Sequence, residues 1–293
     1  MHNRKTLGEN IFSILDYIIL TFLGVVALYP MLYVLFASLS NPMSFMKHSG
    51  LLYGPVGFSL DGYRKVFAKA EILVGYKNTI IYVLAGVSIS MIITTTFAYV
   101  LSRKGLYWNR LLSIMALITM YFTGGLVPTY LLVKQLGMVD TRWAILLPTA
   151  MSTYNMIIMR TGFASVPISL QEAAKIDGAS PFAIMMKIII PLAMPTMAVI
   201  TLYYAVAQWN SWFPAAIYLR SMELYPLQLF LRDILINNVQ MEAVAAADSA
   251  EGLAVSEIVK YATIIVSVLP IICVYPFLQK YFAKGIMIGA VKG

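Results

Sequence analysis

Six stretches of this chain run for roughly the length of a bilayer crossing without a single Asp, Glu, Lys or Arg: 17–39, 79–101, 111–133, 143–159, 188–208 and 261–279. About 20 apolar residues in an α-helix cross a hydrocarbon core ~30 Å thick. Backbone polar groups must be satisfied internally there, which favours helices. The shortage of charge extends along the whole chain: 60% of its 293 residues are hydrophobic and 12% charged, whereas a soluble domain carries about 25% charged residues. The pattern predicts an all-α integral membrane protein, a single domain over 1–293 with six transmembrane helices. The fourth window is the shortest. The first is too long for a signal-peptide core and runs on to Asn41-Pro42 without a small-residue cleavage site, so it reads as a retained span.

The same residues narrow the chemistry. A lone cysteine, Cys273, excludes an internal disulfide, and inside an apolar run it reads as a small core residue. His2 and His48 are the only histidines, lie in polar segments and cannot pair as metal ligands. No phosphate-binding loop, nucleophile elbow or H-E-x-x-H pair occurs. The expectation is a non-enzyme with no cofactor or metal of its own. Its net charge of +8 reads as membrane topology and not as a nucleic-acid footprint.

With the N-terminus inside, the inner segments carry eleven basic against four acidic residues, and the longer outer segments ten against nine. Basic density therefore favours cytoplasmic N- and C-termini. Segments 40–78, 134–142 and 209–260 fall outside; 102–110, 160–187 and 280–293 fall inside.

One inner segment is unusually structured. SLQEAAKIDGASP, residues 169–181, holds Glu172, Lys175 and Asp177 between two apolar windows. Each charge would cost about 2.5–3.5 kcal/mol at a bilayer centre, so the segment belongs in water. Ser169 with Glu172 three residues later reads as a capping box. Gly178 is placed to end the short helix in a left-handed conformation, and Ser180-Pro181 reads as the cap and first position of the next helix. Ala173 and Ala174 offer a small-residue face for close approach of another backbone. These residues alone fit two roles, a capped connector or a docking knob.

Glu172-Ala173-Ala174, Gly178 after three further residues, then Ile188 and Pro191 resembles the EAA motif of ATP-binding-cassette (ABC) importer permeases. Ile190 stands where that family usually has Leu. The likeness extends over roughly residues 12–293. Segment 124–148 is similar to the third and fourth spans of carbohydrate importer permeases, QWNSWF (208–213) to their W-N segment, and KYFAKGIMIGAVKG (280–293) to the tail of maltose-type permeases. Together with 258–279 the chain looks most like permeases for oligo- or polysaccharides of the alginate or polygalacturonate type.

The resemblance implies a type I importer permease fold with a cytoplasmic coupling helix, in a bacterial inner membrane. It implies Glu172, Ala173, Ala174, Asp177 and Gly178 as the ATPase-coupling residues, and Gly289, Val291, Lys292 and Gly293 as an ATPase-contacting tail. The implied partners are a second homologous permease subunit, two ATPase subunits that hold ATP and magnesium, an extracytoplasmic solute-binding protein, and membrane lipid.

No Asp, Glu, His, Lys or Arg lies inside the six windows, which disfavours proton coupling but leaves open a self-sufficient secondary carrier with sodium sites made of carbonyls. Tyr204, Trp209, Asn210 and Trp212 offer stacking faces and an amide for a sugar pathway; the same aromatics also fit an interfacial belt.

Overall fold

The computed structural model describes residues 7–103, 105, 107–245 and 250–290. Among these residues the elements are helical, apart from one isolated bridge between Ser40 and Phe58. In chain order they are α1 (Leu7–Ser38), α2 (Pro42–Lys47), α3 (Asp61–Phe67), α4 (Ala70–Leu101), α5 (Asn109–Tyr121), α6 (Leu126–Gln135), α7 (Trp143–Leu146), α8 (Thr153–Ala164), α9 (Ile168–Ile176) and α10 (Pro181–Ile184). A π-helical turn (Met185–Ile189) leads to α11 (Ile190–Leu192), α12 (Met194–Trp209) and α13 (Phe213–Tyr218). A 3-10 turn (Met222–Leu224), α14 (Leu227–Ala245) and α15 (Ala250–Ala290) complete the chain.

Among the described residues three single helices are long and apolar enough to cross a membrane: Ile11–Ser38, Ala70–Leu101 and Gly252–Val274. Two bent pairs bring the number to five, so the expected count of six is not reproduced. The third window breaks between α5 and α6 at an angle of 111°, where Gly125 takes φ +84 behind an extended Phe122. The fifth window breaks between Pro181–Leu192 and Met194–Trp209 at 86°. Pro191 and Pro195 flank that break; each lacks an N–H and disfavours helical geometry in the residue before it. Ahead of Pro191 the ladder widens, and Ile190 donates to the carbonyl of Met185, five residues back. The fourth window is not one helix: α7 ends at Leu146 and α8 starts at Thr153, with Pro148 between. Hydropathy windows register apolar length and are blind to chain direction, which is why these bends escaped them.

The chain forms two compact units, Met1–Lys69 with Asp233–Val268 and Ala70–Arg232 with Leu269–Gly293. In the first, Tyr33, Phe45 and Tyr261 meet edge-on with centroids 5.6–6.4 Å apart. There Gly62 lets α3 approach α15, since a Cβ would sit 2.8 Å from Ile258 Cγ2.

The second unit is organised around α4. Its buried positions include Asn78, Tyr82, Gly86, Ser90, Thr94 and Ala98, one every fourth residue, hence a single helical face. That face is polar and small, while Leu84, Ile92 and Phe97 point outward. Lipid is as apolar as leucine, so packing between membrane helices depends on small residues and hydrogen bonds. The same logic accounts for Cys273, expected in the core and found exposed on the spanning stretch of α15. The main core joins α4 (Ala98, Tyr99, Leu101), α8 (Met156, Met159, Phe163), the 184–193 bend and α12 (Ile200, Tyr204).

Candidate functional site

Two features of the second unit carry the chemistry that the sequence singled out. The first is the segment 167–181. Helix α9 begins earlier than expected: its cap position is Pro167, two residues before Ser169, and its first helical residue is Ile168. Ser169 therefore lies inside the helix and the capping box does not form; Pro167 gives no side-chain cap. The far end follows the expectation. Gly178 has φ +79, its N–H donates to the Lys175 carbonyl (3.0 Å), and the Ala179 N–H donates to Ala174 (2.9 Å). This pair of bonds is a Schellman stop. Ser180 then caps α10 by accepting from the Ala183 N–H at 3.2 Å, with Pro181 following it.

The two faces of α9 are unlike. Gln171 is buried, and Ala174 and Ala179 pack on the main core. Glu172, Ala173 and Asp177 are exposed, as are Ile168 and Ile176, the latter 87% exposed. Ala173 and Ala174 thus do not share a face as the sequence suggested; a 100° step per residue turns one outward and roots the other. No hydrogen bond or ion pair engages Glu172 among the described residues. The segment is fixed from behind by Tyr99, whose hydroxyl donates to the Pro181 carbonyl at 2.8 Å. Arg160 Nε donates to the carbonyl of Leu101 at 3.0 Å, closing α8 on the end of α4. Gly289 lies in the final turn of α15; Val291, Lys292 and Gly293 lie outside the described residues.

The second feature is a cavity of about 540 Å³ between the 147–152 break, α8 and α12. Thr149, Ser152, Asn155, Tyr203, Gln208 and Ser211 line it beside Tyr204. Tyr204 is a strut: its hydroxyl lies 2.6 Å from Thr94 Oγ1 and accepts from the Ser152 N–H at 3.0 Å. Gln208 lies across Gly86 and donates to Thr149 Oγ1 at 3.2 Å.

The four expected pathway residues are not brought together. Only Tyr204 borders the polar cavity. Trp209 and Asn210 line a separate, apolar cavity of about 630 Å³ with Leu84, Pro270 and Val274. Trp212 lies under the Arg232 guanidinium, 4.4 Å from its ring centre. Asn155, Gln208 and Thr149 went unnoticed because a charge-free window does not register amides and hydroxyls. Their crowding into two otherwise apolar windows was the available signal. Among the described residues no group of three or more His, Cys, Asp or Glu could hold a metal ion.

At the end of the unit away from α9, Asp140 has φ +60. Its carboxylate accepts from Ser221 Oγ (2.6 Å) and from the N–H groups of Arg220 and Ser221 (2.8 and 2.9 Å). The Ser221 hydroxyl first, then the two backbone N–H groups, hold this carboxyl below its ordinary range. Nearby, Asn78 Nδ2 donates to Glu223 and Tyr225, and Tyr82 to Leu224, tying the 222–225 turn to α4.

The sequence pattern of the family described as "Binding-protein-dependent transport system inner membrane component" matches residues 6–288. The polygalacturonan/rhamnogalacturonan transport system permease protein YtcP of Bacillus subtilis (strain 168) is 36% identical over 285 residues, 97% of this chain and 99% of the relative. The maltodextrin transport system permease protein MdxG of the same organism is 28% identical over 289 residues, 96% of each chain. A chain in the crystal structure of a bacterial ABC transporter involved in the import of the acidic polysaccharide alginate superposes with a TM-score of 0.84 at 34% identity, covering 95% of this chain and 99% of that one.

Proposed function

This chain belongs to the binding-protein-dependent transport system inner membrane component family, and from that premise we propose that the 167–181 segment is where ATP-driven motion enters it. The chain has a type I ABC importer permease fold and is the permease subunit of an importer for oligo- or polysaccharides. Its membrane helices form half of the translocation pathway and pair with a second, similar permease subunit. Two ATPase subunits, which bind ATP and magnesium and carry out the hydrolysis, dock on the cytoplasmic side. A solute-binding protein delivers the saccharide from outside. Both termini are cytoplasmic in this arrangement, as the density of Lys and Arg suggests.

The observation that carries the docking role is the two-faced build of α9. A connector needs no exposed Ile176 beside an unengaged Glu172, nor a stop bonded as firmly as that at Gly178. Glu172 supplies the polar anchor to the ATPase, Ala173 lets its surface approach closely, and Asp177 and Gly178 set the turn. Ala174 acts from behind by rooting the helix in the core. The tail residues Gly289, Val291, Lys292 and Gly293 extend the contact. Movement of the docked ATPases then displaces α9 with the helices bonded to it, a rigid-body switch of the kind that alternates access. Glu172→Lys tests this in the reconstituted transporter. The expected result is loss of saccharide-stimulated ATP hydrolysis with the subunit inserted and folded; normal stimulated hydrolysis in that variant would refute the role.

A further inference from the structure

We infer that the cavity lined by Asn155, Gln208 and Tyr203 is a saccharide-binding site within this subunit, and that it reads the hydroxyl groups of a sugar ring and not a carboxylate. The inference rests on the permease reading and adds a ligand chemistry to it.

Asn155 is the leading observation. It is only 7% exposed, it lines the cavity, and its side-chain amide pairs with no group among the described residues. Its amide atoms are not sealed in, since Ser90 Oγ and Arg142 Nε are the enclosed side-chain atoms that lack a partner among the described residues; the amide opens on the cavity, where its donors and acceptor can meet a ligand. A ligand that supplies a donor and an acceptor matches both ends of this amide.

The neighbours extend the same chemistry. The Gln208 amide donates to Thr149, which leaves its carbonyl oxygen without a donor among the described residues. The Tyr203 ring is 40% exposed and offers an apolar face with a polar tip. Ser211 adds a hydroxyl at the rim. Amides and hydroxyls both give and accept hydrogen bonds, which suits a ring of hydroxyls that do the same. None of the lining residues is charged, so nothing in this wall would neutralise a buried carboxylate, which is costly without a partner. The volume of about 540 Å³ falls within the roughly 300–1,000 Å³ of small-molecule sites. The apolar cavity at Trp209 has no comparable set of polar groups.

Site protection tests the proposal in the complete transporter, assembled with its partner permease and ATPases in nanodiscs. The native thiol is removed by Cys273→Ser, and Ser211→Cys or Tyr203→Cys is labelled with a maleimide. Trigalacturonate at millimolar concentration, and its methyl ester equally, should slow labelling by about five-fold or more at both positions. Met222→Cys, on the outer turn, should label at an unchanged rate. Asn155→Leu should fold as well as the parent, having no internal partner to lose, and should abolish the protection. Failure of both saccharides to protect, in a complex that still imports trigalacturonate, overturns the site and leaves the permease reading standing. Protection by the acid alone overturns hydroxyl recognition, and protection that survives Asn155→Leu overturns the part given to Asn155. If the unsubstituted complex neither imports the probe nor hydrolyses ATP in response to loaded binding protein, the permease reading itself fails.

Discussion

Tyr204→Phe removes one oxygen from the place where three elements meet. In the native chain that hydroxyl bonds Thr94 of α4 at 2.6 Å and accepts from the Ser152 N–H at 3.0 Å. The ring itself packs in the main core and is 4% exposed, so the substitution leaves the shape of the site intact. Thr94 loses little, because a helical threonine can turn its hydroxyl to the carbonyl one turn earlier. Ser152 has no such recourse: it lies in the break between α7 and α8, and its side chain already accepts from the Asn155 N–H. An orphaned buried N–H costs about 1–3 kcal/mol. Ser152 is only half-buried, so water satisfies part of the loss and about 1–2 kcal/mol is the appropriate share. That corresponds to a roughly 5- to 30-fold easier opening of the break, since about 1.4 kcal/mol is a factor of ten. Hydrogen exchange followed on a peptide covering 147–156 reads it directly, with a peptide across the Ser180 cap as internal reference. Exchange within two-fold of the parent across 147–156 would refute the assignment of Tyr204 as the strut of the cavity wall.

Gly75→Ala should destabilise the second unit by about 1–3 kcal/mol, the range for overpacking. The new Cβ would lie 2.9 Å from the Leu227 Cα and from Phe230 Cδ2, and backbone cannot step aside; thermal unfolding of the purified transporter measures it, with Gly54→Ala, which meets nothing within 4 Å, as the control. Gly178→Ala meets no neighbour but must hold φ +79, a conformation that costs an L-residue about 1–2 kcal/mol. It should lower saccharide-stimulated ATP hydrolysis several-fold while thermal unfolding of the membrane helices stays unchanged. The Asp140 clasp should be pH-dependent in one direction. Its carboxyl is held below the ordinary range, so its contribution is present above the unfolded value near 3.9 and is lost as pH falls through the lower folded value. Limited proteolysis around 218–222 should therefore accelerate in acid, and Asp140→Asn should weaken the clasp at neutral pH.

The parts of the fold that were legible in the sequence are those written in local chemistry. Gly178 and Ser180-Pro181 announced a stop and a start because left-handed backbone and proline geometry belong to single residues. The first, second and sixth windows became continuous helices because nothing inside them opposed continuation strongly enough; even Pro30, Pro270 and Pro276 stay within α1 and α15. Ser169 misled because a capping serine and a serine at the second helical position look alike in sequence, and here the cap position falls on Pro167. The cavity was hidden for a different reason. Its walls come from residues 149–155 and 203–211, and the contact between them depends on an 86° bend at Ala193 that hydropathy cannot supply. Trp209, Asn210 and Tyr204 are close in sequence, yet α12 turns the first two toward the apolar cavity and the third toward the polar one.

Helix α4 is hydrogen-bonded at both features. At one end Tyr99 holds the Pro181 carbonyl and Leu101 accepts from Arg160. Five residues along, Thr94 meets the Tyr204 hydroxyl, and at Gly86 the side chain of Gln208 lies directly on the helix. Thirteen steps of ~1.5 Å put these two ends about 20 Å apart. Between them the inward face holds Gly86, Ser90, Thr94 and Ala98, and beside this small-residue row Met91 meets Thr201 of α12 and Met197 of α12 meets Thr95. Large flexible side chains at a helix interface take up small displacements by changing rotamer; glycine, serine, threonine and alanine have almost no such freedom. On the proposed coupling, a displacement imposed at Glu172 therefore finds its slack along this face mainly in the Met91 and Met197 side chains. What those two side chains do not take up must either move α12 and the 147–152 break with α4, and with them the wall that carries Asn155, or break the Tyr99 and Tyr204 hydroxyl bonds.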